Sequence, residues 1–244
     1  MRAGMIRALL PLLPLLLPPL LVAAPAEAQV ARTAMLSGFD RVRVDGPFAV
    51  TVTQGTRASA TVNGARDAAE KVSVRVENGT LIVSTNVSGW GGWAGEDAPA
   101  TVTVTAPPGT RGISVRGGGT VAVDRIRGQR VDLAVAGSGT LSVAAADADL
   151  LYATMTGAGR LEVAGRAGQA RFLVQGTGAV EARALAVDDL QVSQDSLGDG
   201  VYAARRTVTV SSAGLGAVTV EGDAACRVVV QRGGPVSCKR VATR

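Results

Sequence analysis

The stretch G-S-G-T-L-S-V at residues 137–143 decides the fold, because the chain repeats it at intervals of about 20 residues. Each copy joins a small-residue turn to a short strand in which apolar residues alternate with small or polar ones. A period this short leaves no room for helices between parallel strands. The repeats therefore predict a solenoid, in which each coil buries its apolar face against its neighbours. The other copies are G-G-G-T-V-A-V from Gly117, G-A-G-R-L-E-V from Gly157, G-T-G-A-V-E-A from Gly176, S-L-G-D-G-V-Y-A from Ser196 and G-L-G-A-V-T-V from Gly214.

The alternation within the copies predicts which side chains point inward. The first strand of each coil carries two inward apolar residues, such as Ala153 and Met155. The second strands should stack their inward residues as one ladder, which comprises Val121, Leu141, Leu161, Val180, Val201, Val218 and Val236. The residues that follow them should form an external ladder on the same side, which comprises Ala122, Ser142, Glu162, Glu181, Tyr202 and Thr219.

The region before the repeats also has the pattern of β-strands. Residues 39–108 alternate with period two and are interrupted by turn residues such as Asn78 and Gly79, a favoured hairpin pair. We expect residues 29–38 to be a flexible leader. The predicted fold is all-β, with an antiparallel head section at 39–108 continuous with a single-stranded, right-handed parallel β-helix at 109–240. This helix should have about seven short rungs and pack as one unit with the head.

The first 28 residues have the pattern of a secretory signal peptide. Arg2 and Arg7 precede an apolar run at 8–22, and Ala26-Glu27-Ala28 is a small-x-small cleavage site. A retained membrane anchor is the alternative, but four prolines interrupt the run, which is shorter than the ~20 residues that a spanning helix needs. We therefore expect cleavage after Ala28, export to the periplasm, outer surface or medium, and no membrane-spanning segment after cleavage.

The composition excludes several kinds of chemistry. The chain has no histidine, which removes the commonest general base and the usual zinc ligand. Its net charge is +5, but the arginines are scattered and aromatic residues make up only 3% of the chain. Nucleic-acid grooves combine clustered basic residues with stacking aromatics. We therefore expect no cofactor, no metal site and no nucleic-acid partner.

Cys226 and Cys238 are the only cysteines. An exported protein folds in an oxidising compartment, so a disulfide is predicted. In the alternation of the last coil, both cysteines occupy positions whose side chains should point inward. The bond should therefore close the terminal coil, which no further coil covers.

The ordered blocks of this sequence resemble a known family. F-D-R-V-R-V-D-G-P-F-A-V-T-V-T-Q-G from Phe39, E-N-G-T-L-I-V from Glu77 and the iterated glycine turns are similar to the GIN-domain head of autotransporter adhesins. The resemblance covers most of residues 39–238. It implies a bacterial, exported β-helix that acts as an adhesin-like module at the cell surface.

Two groups of residues are candidates for function. Trp90 and Trp93 share a glycine-rich loop and could stack on sugars or anchor a partner, or could instead cover an open end or the junction between head and rod. Glu162 and Glu181 should lie side by side on neighbouring rungs. Such a pair could serve a polysaccharide lyase or glycosidase, or could be a solvated pair neutralised by nearby arginines.

The favoured function is a non-catalytic envelope or cell-surface module. It would bind or scaffold through its β-helix faces and the Trp90/Trp93 loop, with an envelope polysaccharide or another surface protein as partner. The alternative is a polysaccharide-active enzyme that uses Glu162 and Glu181.

Overall fold

The architecture is described by a computed structural model that covers residues 29–86 and 100–239. The predicted signal peptide at 1–28 and both tryptophans lie outside these ranges. The N-terminal elements are β1 (Gln29–Met35), β2 (Arg41–Asp45), β3 (Ala49–Gln54), β4 (Ser59–Ala65), α1 (Arg66–Glu70), β5 (Val72–Glu77), β6 (Thr80–Thr85) and β7 (Thr101–Ala106). The repeat region holds β8 (Gly112–Gly117), β9 (Thr120–Gly137), β10 (Thr140–Gly157), β11 (Arg160–Gly176), β12 (Ala179–Ala182), β13 (Leu185–Ser196), β14 (Gly200–Ala203), β15 (Thr207–Ser212), β16 (Val218–Glu221), β17 (Ala225–Gln231) and β18 (Val236–Lys239).

The repeat strands stack in parallel, one copy directly on the next. Thr140 pairs with Thr120 at the start of the β9–β10 ladder, and Gly157 pairs with Gly137 at its end. The same alignment continues through β11 and β13 to β15 and β17. The structure is a β-solenoid of about 6 turns with antiparallel N-terminal strands, which confirms the predicted fold class.

The glycine turns allow consecutive coils to approach closely. Gly157 has a φ of +113°, a conformation that residues with a side chain rarely adopt. A Cβ atom at this position would lie 2.6 Å from the carbonyl oxygen of Gly137 in the coil below. The glycine repeat of the sequence therefore corresponds to a column in which one backbone turn rests on another.

The inward ladder agrees with the prediction at six of its seven positions, although Val236 in the last coil is only partly buried. Leu141 and Leu161 are fully buried at its centre. The exception is Val201, because Val180 pairs with Gly200 and not with Val201. A shift of one residue turns a strand's side chains to the opposite face. Val201 therefore faces outward, and Tyr202, which was expected on the external ladder, is fully buried.

The buried Tyr202 explains the shift in register. Its hydroxyl donates to Gln194 Oε1 at 3.1 Å, and its ring packs against that of Phe172 in a T-shaped arrangement with centroids 5.0 Å apart. A Cβ atom at Gly200 would lie 2.6 Å from the tyrosine hydroxyl. Glycine at position 200 therefore provides the space in which the large ring fits inside the coil.

The head contributes two coils to the parallel stack in addition to its antiparallel strands. β2 lies between β6 and β8, and β3 lies between β7 and β9, and all four pairings are parallel. The antiparallel strands β5, β4 and β1 extend this stack at its N-terminal end. The residues expected to be a flexible leader include β1, which pairs with β4 from Gln29↔Ala65 to Met35↔Ser59.

The two ends of the solenoid are covered differently. At the N-terminal end, α1 packs Ala68 and Ala69 into the core. At the C-terminal end, most of β17 is exposed, since no described element packs over it. Among the described residues, no helix has the length and apolar character required to cross a membrane.

Candidate functional site

The structure places Glu162 and Glu181 side by side on β11 and β12. Their side chains are 43% and 46% exposed, respectively. Arg160 lies 4.0 Å from Glu162, and Arg183 lies 4.0 Å from Glu181. The two carboxylates are thus solvated and neutralised by arginines.

A shallow cleft of about 340 Å³ surrounds this pair. Arg183 crosses it and contacts Glu221 at 3.1 Å, while its backbone N–H donates to Glu181 at 3.3 Å. A glycosidase needs one carboxyl group whose pKa is raised by an apolar environment, so that it can act as an acid. Glu162 and Glu181 lie instead in solvent beside arginines, so this geometry does not favour acid catalysis.

A second surface lies on the adjoining face, around Tyr152 of β10. Among the residues that the structure describes, Tyr152 is the only aromatic side chain that is not buried. The Arg130 guanidinium lies 5.6 Å from the centre of its ring, and Arg130 also pairs with Asp132 at 2.8 Å. This contact is a cation–π interaction, which helps to hold the ring in place.

A depression of about 180 Å³ adjoins the Tyr152 ring. Its other lining residues are Arg171, Phe172, Leu173, Gln191 and Ser193. Arg171 pairs with Tyr152 in the coil below and with Gln191 in the coil above, so the three outward side chains form one column. Sequence reasoning missed this surface. The signal was available, since inward Ala153 and Met155 imply that Tyr152 points outward.

A stacked ion triplet stabilises the bend between these two faces. Asp147 pairs with Arg127 in one neighbouring coil and with Arg166 in the other. Two hydrogen bonds of 2.8 Å from Arg166 lower the pKa of Asp147, and Arg127 at 3.0 Å acts in the same direction. The two arginines neutralise the Asp147 carboxylate and occupy its oxygens, so we assign the three side chains a structural role.

A third cleft, of about 590 Å³, lies at the N-terminal end. Its lining residues are Val30, Arg32, Arg66, Ala69, Glu70 and Asn86. Asn86 is the last residue described before the segment 87–99, and its backbone N–H donates to Lys71 O at 2.7 Å. Trp90 and Trp93 belong to that segment and lie outside the described residues.

The predicted disulfide is confirmed, since Cys226 and Cys238 are bonded to each other in the last coil. Cys226 pairs with the buried Val208 and Cys238 with the buried Val220, so both cysteines continue inward ladders. They are nevertheless exposed, because no described coil covers them. Within the described ranges, no group of three or more acidic, cysteine or histidine side chains is arranged to hold a metal ion.

Comparison with known structures shows the same fold. A "putative adhesin" from Bacteroides fragilis is 20% identical, with a TM-score of 0.79 over 89% of this chain and 99% of that one. A "putative lipid binding protein" from Parabacteroides distasonis is 16% identical, with a TM-score of 0.70 over 86% and 96% of the two chains. A "putative adhesin" from the same species is also 16% identical, with a TM-score of 0.69 over 87% and 97%.

The family match covers most of the sequence. No curated protein matches the chain. Residues 38–224 match the family model described as "Putative auto-transporter adhesin, head GIN domain". This range includes the opening block, both head coils and all the coils up to β16. The chain therefore belongs to the GIN-domain family of auto-transporter adhesin heads.

Proposed function

We propose that the protein is an exported, non-catalytic, adhesin-like module that binds a saccharide polymer of the bacterial envelope through its outer faces. Family membership and the disulfide support export and an adhesin-like role. The observation that carries the choice of ligand is the half-buried ring of Tyr152, which lies on a polar face beside a shallow depression.

The residues around Tyr152 have the chemistry of a sugar site. An aromatic face can stack on the apolar C–H face of a sugar ring while its edge stays in water. Arg171 forms no ion pair within the described ranges, so its guanidinium is free to donate to sugar hydroxyl or carboxylate groups. Gln191 adds donors and an acceptor one coil further on, about 4.8 Å away.

Trp90 and Trp93 enter the proposal as a second contact, on the grounds of sequence alone. Two indoles in a glycine-rich loop offer a large apolar area for a sugar or a protein partner. Their segment follows Asn86, which lines the N-terminal cleft. A polymer long enough to contact both the loop and Tyr152 would gain affinity from the two sites together.

A panel of bacterial envelope polysaccharides, with a pull-down from envelope extract beside it, tests the proposal. Wild-type protein should bind at least one polysaccharide, and Tyr152→Ala should weaken that binding about tenfold or more, as for a central aromatic contact. Tyr152→Phe should retain most of the affinity, because it keeps the ring. Thr103→Ala, at an exposed position of the head on the adjoining face, is the matched surface control.

The Trp90→Ala/Trp93→Ala double variant tests the loop separately. Loss of binding by this double variant, with unchanged binding by Tyr152→Ala, would assign the site to the loop. Capture of a surface protein and of no polysaccharide would overturn the choice of ligand. Wild-type protein that binds neither would overturn the proposed function.

The alternative enzyme has one observation in its favour, the adjacency of Glu162 and Glu181. If the protein cleaves a polysaccharide with this pair, incubation should release new reducing ends, and Glu162→Gln should abolish their release. We expect no reducing ends with either protein, since neither carboxylate is buried.

A further inference from the structure

Large apolar side chains are exposed near the C-terminal end of the solenoid. Leu197 is 59% exposed and Leu215 is 70% exposed, both on the glycine turns. The backbone N–H of Gly216 donates to Ser196 O at 2.9 Å, which places Leu215 one coil above Leu197. Val229, on β17 of the last coil, is 57% exposed. Leu197 and Leu215 therefore lie on adjacent coils, and apolar side chains exposed to this extent mark an interaction surface.

Among its described residues, the last coil carries three exposed basic side chains. Arg232 lies at the same corner in the last coil, where its backbone N–H donates to Ser212 O at 2.8 Å. Arg227 on β17 and Lys239 on β18 are also exposed. In the described part of the chain none of these three cations forms an ion pair. We call Leu197, Leu215, Val229, Arg227, Arg232 and Lys239 the C-terminal patch.

We propose that the C-terminal patch docks the protein on an anionic phospholipid bilayer, with Leu197 and Leu215 inserted among the lipid chains and the cations against the headgroups. A bilayer presents negative charge above hydrocarbon, so it complements both kinds of residue. An acidic polysaccharide would satisfy the cations but would leave the leucines in water. A second copy that met this end through its own C-terminal patch would place like charges opposite each other.

Docking in this way would leave both faces of the rod exposed, because the C-terminal patch occupies the last coils. The Tyr152 surface lies nearer the middle of the stack, on β10 and β11. This inference is therefore independent of the saccharide site, and each can fail without the other.

Vesicle co-sedimentation tests the inference. The protein is purified after export, and its mass is checked, because a retained apolar run at 8–22 would itself bind vesicles. The probes are vesicles of phosphatidylcholine alone and of phosphatidylcholine with phosphatidylglycerol in equal parts. We expect sedimentation with the anionic vesicles only, and weaker binding in high salt, which screens the cations.

Variants assign the binding to particular residues. Leu197→Ser and Leu215→Ser should each lower the partition coefficient about tenfold, from the apolar area withdrawn from lipid. Arg232→Glu and Lys239→Glu should each lower it about fivefold or more. Met35→Ser is the matched control, since Met35 is also 70% exposed but lies on β1 at the other end. All these positions are exposed, and melting curves verify that each variant is folded.

Two outcomes would overturn the inference. One is equal sedimentation of wild-type protein and the Leu197→Ser/Leu215→Ser double variant. The other combines two results: wild-type protein does not bind vesicles, and it forms a dimer in sedimentation equilibrium that the leucine variants abolish. That outcome would assign the C-terminal patch to self-association.

Discussion

The glycine column gives a quantitative test of the solenoid, through the substitution Gly157→Ala. Two separate costs are expected. The φ of +113° places an L-residue in an unfavourable backbone region, at a cost of about 1–3 kcal/mol. In addition, the new methyl group would lie 2.6 Å from Gly137 O and 3.1 Å from Gly137 N, so that one backbone turn must move away from the next. We expect a total loss of roughly 3–5 kcal/mol in the free energy of unfolding.

Two control substitutions separate these costs. Gly109 has a φ of +96°, but a methyl group added there would have no atom within 4 Å, so Gly109→Ala measures the backbone cost alone. Gly38 has neither constraint, and Gly38→Ala should be neutral or stabilise by up to about 1 kcal/mol through the unfolded chain. For a domain of this size, 1 kcal/mol shifts Tm by about 2–4 °C.

Thermal melts followed by far-UV circular dichroism, with all three variants in the same buffer, provide the measurement. Gly157→Ala should melt roughly 6–20 °C below wild type, and Gly109→Ala about 2–12 °C below it. A Gly157→Ala protein that melts together with Gly109→Ala would refute the close stacking of consecutive turns.

Three further predictions concern the core and the terminal coil. Leu161→Asp should prevent folding and secretion, because it places an unpaired charge in a fully buried ladder; folded, secreted variant would contradict that burial. Reduction of Cys226–Cys238, which are 12 residues apart, should lower the free energy of unfolding by roughly 2–3 kcal/mol, and intact mass without reductant should show no free thiol. Burial raises the pKa of Tyr202 above the value of about 10 that tyrosine has in the unfolded chain. Above that pH the unfolded chain loses the phenol proton while the folded protein keeps it, so the free energy of unfolding should decline as pH rises above about 10. Tyr202→Phe should reduce that decline in melts between pH 9 and pH 11, and an unchanged pH profile would argue against the buried hydroxyl.

The sequence predicts the repeat region well because each coil carries its own local pattern. The glycine turns, the alternation and the parity of both cysteines are all local, and the structure agrees with them. The error at Val201 arises where the turn is longer. Gly198 and Gly200 both suit a turn, and only the space needed by the Tyr202 ring decides which residue begins the strand.

Long-range pairing was not predictable in the same way. The alternation of residues 41–54 identifies strands. It does not reveal that β2 and β3 pair with strands formed by much later residues. Likewise, β1 contains small and polar residues without a buried stripe, and only its partner β4 establishes it as a strand. The Tyr152 surface depends on registers across three coils, which bring together side chains about 20 residues apart in sequence.

The position of β2 and β3 within the stack has a consequence for how the chain folds. The contact between Ser114 and Val42 spans 72 residues, so the first coil along the chain has both of its edges open until two later coils arrive. The head must therefore form in one cooperative step, whereas the later coils can be added singly, each on a completed edge. Removal of coils from the C-terminal end should leave a shorter folded rod. Deletion of β6 and β7 should leave a chain that aggregates during folding.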